Sequence, residues 1–334
     1  MQCPEPSTVA RRLVFLLSAL FAVVFVTALP GCGADVQNAD ETAGQDGDGN
    51  GKPKPGAGGD GTSTGGPSGG SREDQAPVRP NTALVGAKFG TYISLGDSIS
   101  AFIGEGPFFN NLLFQNDDEA YPEWKGKDLS TRYPGIKYVK GARGGAQTGR
   151  HADQANARIP ILEQQVTALE RDYPGDVLVT ITIGGNDLNA HAFDAARGQD
   201  QGFIDAMKGF LKQNLDELLT PGRLGKGQVF IVEANIYDAS DGEGNWRSGG
   251  NCGPRIDIGR EFNAPAFERW NGAIADIVKS YGEKNTLFDL HALFAGKGFN
   301  GEDFWFARDC IHANKKGNQA MRERIWQIVT GEKG

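Results

Sequence analysis

The chain has 334 residues, and it is short of the groups that most often carry chemistry: four histidines, four cysteines and three methionines. With so few histidines, every candidate for a general base can be weighed by itself. A surplus of positive charge is also missing. Thirty-four lysines and arginines stand against 42 aspartates and glutamates, for a formal net charge of -8. That balance excludes the basic footprint needed to grip nucleic acid and a polybasic hold on anionic lipid. Residues 33–80 lack any aromatic residue and any leucine, isoleucine or methionine, yet hold 13 of the 48 glycines. Such a segment has too little to bury to fold. It is expected to be a flexible linker with an end-to-end distance of about 40 Å.

What precedes the linker is of another kind. Arg11 and Arg12 lead into "LVFLLSALFAVVFVTALPGC", and the apolar run from Leu13 to Leu29 is 17 residues long. This is the pattern of a secretory signal, expected over residues 1–31. The alternative is a retained anchor, for which this length is at the short edge of what spans about 30 Å of hydrocarbon. "LPGC" resembles the lipobox of bacterial lipoproteins. The resemblance implies that Cys32 is acylated and becomes the mature N-terminus. Gly33 after it implies the outer membrane in a two-membrane bacterium. The expected location is therefore the cell envelope, periplasmic or surface-exposed, with plain secretion as the other outcome. Loss of residues 1–31 removes two arginines and one glutamate and takes the net charge to -9. Cys252 and Cys310 then remain as an even pair in an oxidising compartment, and a disulfide between them is expected.

Two linker segments, "GTSTG" (61–65) and "GPSGG" (66–70), satisfy G-x-S-x-G. Neither follows a strand, so neither has the context that gives this motif meaning. "DGDGNG" (46–51) starts like a calcium loop, but its twelfth position is Ala57, where a bidentate glutamate is required.

From residue 81 to 334 the composition is that of a folded domain. Strands are expected at 91–96, 136–141, 176–184, 228–236 and 285–290, several of them apolar almost throughout, as strands covered on both faces are. Amphipathic stripes lie between and after them: Leu162, Val166 and Leu169; Ile204, Met207, Leu211, Leu215 and Leu218; Phe267, Trp270, Ile274 and Ile277; Met321, Ile325 and Ile328. Alternation of this sort predicts an α/β fold with a parallel sheet between helices. Ligands in such folds bind beyond the carboxyl ends of the strands.

Three expected strands end in polar, glycine-bearing segments: "GDSIS" (96–100), "GARGGAQTG" (141–149) and "GGNDL" (184–188). A serine hydroxyl needs a base within reach and donors aimed at the oxyanion. Ser98 follows a strand and precedes an expected helical turn, so its N–H would point outward. Gly145 allows close backbone approach, and Asn186 offers a side-chain amide. Among the histidines, His312 lies three residues after Asp309 in "RDCIHANKKG", a spacing at which the acid could orient the ring. His291 with Asp289 reads as structural, His191 as surface or pocket wall, and His151 as having no partner in view. Asp97 and Asp187 read as loop braces. Taken singly, each of these residues is as well explained by caps and turns.

In order, "GDSIS", "GGAQT", "GGND" and "DCIH" resemble the four blocks of the SGNH (GDSL-type) hydrolase family, over about residues 88–330. The resemblance implies a three-layer α/β/α sandwich, flavodoxin-like, with a five-stranded parallel sheet and no cofactor or metal. It implies Ser98 as nucleophile, His312 as base and Asp309 as orienting acid. Gly145 and Asn186 would join the Ser98 N–H in the oxyanion hole, though Gly144 adjoins Gly145 and a one-residue shift would exchange them.

The expected function is a secreted, monomeric serine esterase acting on carboxylic esters through an acyl-enzyme, with lipid or acyl esters favoured. The aromatic-rich first loop, residues 102–124, reads either as an acyl-chain groove or membrane-facing cap, or as core under a long loop. Trp305 and Phe306 read as pocket or core. The alternatives are a carbohydrate O-acetyl esterase and a catalytically inactive module binding carbohydrate or peptidoglycan.

Overall fold

The computed structural model describes residues 81–155, 158–242, 262–298, 301 and 303–333. The expected signal peptide, linker and Cys32 lie outside these residues. So do Cys252 and most of the glycine-rich stretch at 240–254.

Five strands form one sheet: β1 (Phe89–Gly96), β2 (Lys137–Lys140), β3 (Asp176–Thr182), β4 (Val229–Ala234) and β5 (Asn285–Phe288). Their order is β2-β1-β3-β4-β5, and every pairing is parallel. All five lie where the apolar runs predict. Four stop a residue or two early, because the last expected residues have already left the ladder. Gly184, for example, is left-handed with φ 104° and serves as the N-cap of the following helix.

Successive residues of a strand point to opposite faces, and both faces here are apolar. Ile93 and Leu95 of β1 and Val177, Val179 and Ile181 of β3 face one layer. That layer holds α2 (Leu162–Thr167), α4 (Gln201–Leu219) and α5 (Phe267–Ser280), with α3 (Gly185–Ala190) at its edge. Tyr92, Leu178, Phe230 and Phe288 face the other layer, built on α1 (Phe109–Phe114) and α6 (Lys315–Thr330). The four predicted stripes supply the inward faces of α2, α4, α5 and α6. Each fully buried aliphatic side chain contributes roughly 1.5–3 kcal/mol. The result is a three-layer α/β/α sandwich. No helix among the described residues is long and apolar enough to cross a membrane.

The first loop departs from one of its two readings. Phe109, Leu113 and Trp124 are core residues packed with α6, so they do not form an open acyl groove. Trp305 and Phe306 are core as well. Phe102 and Phe108 pack edge-to-face on each other at 5.6 Å.

The sheet order positions the site. The chain leaves β1 toward β2 on one side, while β3 lies on the other. The crevice between the carboxyl ends of β1 and β3 is therefore the switch point where this topology opens a ligand site.

Candidate active site

Gly96 ends β1 with φ 119°, and a Cβ there would lie 2.0 Å from the Thr182 carbonyl oxygen. Only glycine lets β1 run this close to β3 at its exit. The side chain of Gln165, on the inward face of α2, pairs with Gly96 as a strand neighbour would. Its Nε2 donates to the Gly96 carbonyl and its Oε1 accepts the Gly96 N–H, both at 2.8 Å. The next residue, Asp97, gives its N–H to the Thr182 carbonyl at 2.8 Å. Its Oδ1 accepts from the Thr182 hydroxyl and from the Ile99 N–H, each at 3.0 Å. Burial raises the Asp97 carboxyl to about 6, against these hydrogen bonds and the nearby His312.

Ser98 stands at the apex of the turn that follows. The expected helix is a single turn, closed by Ala101 N–H to the Asp97 carbonyl at 3.0 Å and Ile103 N–H to the Ser98 carbonyl at 3.3 Å. Below it, the Ser100 hydroxyl meets that of Thr182 at 2.8 Å, and Asn110 Nδ2 donates to the Ser100 carbonyl at 2.8 Å. Ser98 is thus held on a braced scaffold while its own hydroxyl and N–H make no hydrogen bond among the described residues.

The loop after β2 comes alongside through Arg143 N–H, which donates to the Gly96 carbonyl at 3.0 Å. Gly145 has φ 74° and open space where a Cβ would be; a Cβ on Gly144 would meet Ile103 at 2.7 Å. The amides of both glycines lack a partner among the described residues. The loop after β3 is tied to this one. Asn186 Nδ2 donates to the Ala146 carbonyl at 2.9 Å, leaving the second hydrogen of its amide group unused.

Asp187 makes the same tie from beneath. It accepts the Thr148 N–H at 3.0 Å and the Thr148 hydroxyl at 2.5 Å, and its Oδ1 lies 2.9 Å from His151 Nε2. The brace read from the sequence is therefore present, and it includes a histidine for which the sequence offered no partner. His191 corrects a second reading. It is buried and stacked on Phe203 with centroids 3.6 Å apart, away from the surface, and burial lowers its pKa. His291 and Asp289 do not pair. Asp289 caps the helix Leu290–Phe294, while His291 Nδ1 lies 3.1 Å from the Ile236 carbonyl.

The fourth segment carries the acid and the last histidine. Asp309 Oδ1 accepts the N–H groups of Ile311 and His312, each at 3.0 Å, and Oδ2 lies 2.5 Å from His312 Nδ1. Burial would raise the Asp309 carboxyl, but the hydrogen bonds from the His312 ring and from the two amides outweigh it and hold it at about 2. With a carboxylate acceptor at Nδ1, that nitrogen carries the proton, and Nε2 presents a lone pair. His312 is 6% exposed, and its Nε2 is buried without a partner. The Tyr237 hydroxyl holds the same segment by donating to the Ile311 carbonyl. Gly104, six residues beyond Ser98, passes so near that a Cβ on it would lie 2.8 Å from His312 Cβ. No hydrogen bond joins Ser98 to His312 in this structure. Cys310 has φ 55° and is buried; Cys252, its expected bridge partner, lies outside the described residues.

Ser98, Asp97, Asn186, Cys310 and Ile311 line one cavity of about 150 Å³. Its wall is largely apolar, with Ile183, Leu188, Ile236, Phe267 and Leu290. Among the described residues, no group of three or more histidine, cysteine, aspartate or glutamate side chains is placed to hold a metal ion.

A parallel α/β sandwich with Ser98 and Asn186 lining one cavity at the β1/β3 crevice defines an α/β protein of flavodoxin-like build. Residues 94–320 match the model of the GDSL-like Lipase/Acylhydrolase family, and the chain belongs to that family. No curated protein matches it. Among solved structures, it is similar to the lipase Lip_vut3 from a goat rumen metagenome, at 19% identity and a TM-score of 0.42, over 70% of this chain and 95% of that one. It is similar to phospholipase A1 from Streptomyces albidoflavus NA297, at 20% identity and a TM-score of 0.43, over 72% of this chain and 99% of that one. A third is the acetylxylan esterase Axe2 from Geobacillus stearothermophilus, at 16% identity and a TM-score of 0.44, over 75% and 97%.

Proposed function

We propose that the protein is a serine esterase that cleaves carboxylic esters of short acyl chains through an acyl-enzyme. The observation that carries this reading is the Asp309–His312 pair, whose Nε2 is buried and left without a partner beside the Ser98 turn. On substrate binding, Ser98 Oγ approaches His312 Nε2, gives up its proton to that nitrogen and attacks the ester carbonyl carbon. The developing oxyanion is received by the N–H groups of Ser98 and Gly145 and by the free Asn186 amide hydrogen, three donors otherwise unspent. Such donors supply their stabilisation only where charge develops. As the tetrahedral intermediate collapses, His312 returns the proton to the leaving alcohol oxygen. Water then repeats the cycle on the acyl-Ser98 ester.

The cavity supports a short acyl group. About 150 Å³ of apolar space is what an engineered apolar cavity of the same volume needs to hold benzene. An acyl chain of about four to six carbons fills it; a fatty chain overruns it. Lipid anchoring through Cys32 and a bridge between Cys252 and Cys310 belong to the same proposal. Metabolic labelling with a palmitate analogue, lost in Cys32→Ser, tests the first.

The reading is tested with a fluorophosphonate probe. The wild-type protein is expected to label, and Ser98→Ala is not. A Ser98→Ala protein that still labels at the wild-type rate refutes it. A p-nitrophenyl ester series from acetate to palmitate should peak between butyrate and hexanoate.

A further inference from the structure

A second cleft is built in part by the loop after β2. It has a volume of about 430 Å³, and its wall includes Arg143, Arg150, Arg158, Ile159, Pro160 and Gln164. Three arginines line it, and no acidic side chain is among the described residues of its wall. In a chain with eight more acidic than basic residues, that is a local reversal of sign. Like charges held around one concavity repel each other, and an anion in their midst relieves the repulsion. Arg143 and Arg158 have no hydrogen bond or ion pair with another side chain among the described residues, so their donors are available.

The cleft is joined to the candidate active site by the backbone. Arg143 donates its N–H to the Gly96 carbonyl, two residues before Ser98, and is itself two residues before Gly145. Gln164 neighbours Gln165, the clamp on Gly96. The sheet order also separates the two clefts. The apolar cavity draws its wall from the loops after β1, β3, β4 and β5 and from Cys310 and Ile311, whereas the arginine cleft is built from the loop after β2 and the segment leading into α2. The turn carrying Ser98 after β1 thus has the arginine cleft on its β2 side and the apolar cavity on its β3 side.

We infer that the arginine cleft binds an anionic group, a phosphate or a carboxylate, on the alcohol half of the ester. The inference rests on the esterase reading for the word ester, but not for the anion site. Guanidinium groups recognise both oxyanions through paired N–H donors, and the cleft is large enough for the anion together with the unit that bears it. The acyl half then occupies the apolar cavity.

The experiment compares matched chromogenic esters. Butyrate esters of 2-nitrophenol and of 3-hydroxy-4-nitrobenzoate differ by one carboxylate on the leaving group. Monobutyrin and its glycerol 3-phosphate counterpart form the phosphate arm. In the double variant Arg143→Gln, Arg158→Gln, kcat/KM for the favoured anionic ester is expected to fall at least tenfold, through KM, while the neutral ester changes less than twofold. The arm that responds identifies the anion. Equal effects on charged and neutral esters, or none, overturn the inference. A direct measurement stands apart from turnover: calorimetric titration of the wild-type and double-variant proteins with inorganic phosphate and with 3-hydroxy-4-nitrobenzoate. Binding lost in the double variant supports the anion site even if no ester is cleaved. Wild-type protein that binds neither refutes it even if the protein is an active esterase.

Discussion

His151 Nε2 lies 2.9 Å from Asp187 Oδ1, and neither side chain is more than 1% exposed. Asp187 follows Asn186 directly and also holds Thr148, three residues after Gly145. The two loops that would supply oxyanion donors are thus fastened together by one buried carboxylate. Removing one partner of a buried pair costs about 3–5 kcal/mol. Asp187→Ala is expected to lose stability on that scale by urea denaturation. His151→Phe is expected to lower kcat about tenfold with KM little changed, and His151→Gln, which keeps a nitrogen near the Nε2 position, should recover most of it. Equal kcat in the Phe and Gln variants would remove the positioning role.

Asn186 has one amide hydrogen on the Ala146 carbonyl and one to spare. Loss of a single oxyanion donor costs roughly 10²–10³ in kcat. Asn186→Ala should fall in that range, with fluorophosphonate labelling slowed but not abolished and near-wild-type circular dichroism. Full turnover in Asn186→Ala would exclude it from the oxyanion hole.

Glu233 lies near the carboxyl end of β4, fully buried, and burial raises its carboxyl to about 7 against a hydrogen bond from Asn285 Nδ2 at 2.8 Å. The folded protein therefore holds this proton more tightly than the unfolded chain, whose glutamate titrates near 4.5. Stability contributed by the protonated form is fully present below about 4.5 and is lost as pH rises through about 7. Glu233→Gln should remove that part of the slope and stabilise the protein at pH 8 by on the order of 3 kcal/mol. Asp97, raised to about 6, adds a slope of the same sign that the variant retains. Denaturation midpoints for the two proteins that run parallel from pH 5 to 8 would contradict the assignment.

Gly96 couples the fold to the site. A methyl group there meets the Thr182 carbonyl oxygen at 2.0 Å, on a backbone with φ 119°. Gly96→Ala is expected to cost more than about 3 kcal/mol, the strain of that backbone region being compounded by the collision. A urea midpoint within the error of wild type would show that β1 and β3 can separate at their ends.

Much of this was legible in the linear pattern. Apolar runs such as "DVLVTITIG" mark strands because a strand covered on both faces has no polar side, and 3.6-residue stripes such as Ile204 to Leu218 mark helices that bury one face. Three of the four polar blocks were readable for the same reason: each interrupts an apolar segment at a strand end, where ligand sites in this topology form. The short Asp309–His312 spacing needed no tertiary information, since a single turn brings the carboxylate to Nδ1.

Contacts between segments distant in the chain were not legible. His151 and Asp187 are 36 residues apart, and Gln165 and Gly96 are 69. Pairings of this kind depend on which helix lies over which strand, and side-chain periodicity carries no such information. The aromatics of the first loop are equally ambiguous as a pattern, because apolar residues suit a groove and a core alike. The way α1 packs against α6 decided for the core. The arginine cleft likewise exists only once the segment before α2 folds back beside the loop after β2. The amino-acid order determines which residues are apolar, which are reactive and where the chain turns; three-dimensional packing decides which of them meet, because burial and hydrogen bonding reward proximity in space without regard to separation along the chain.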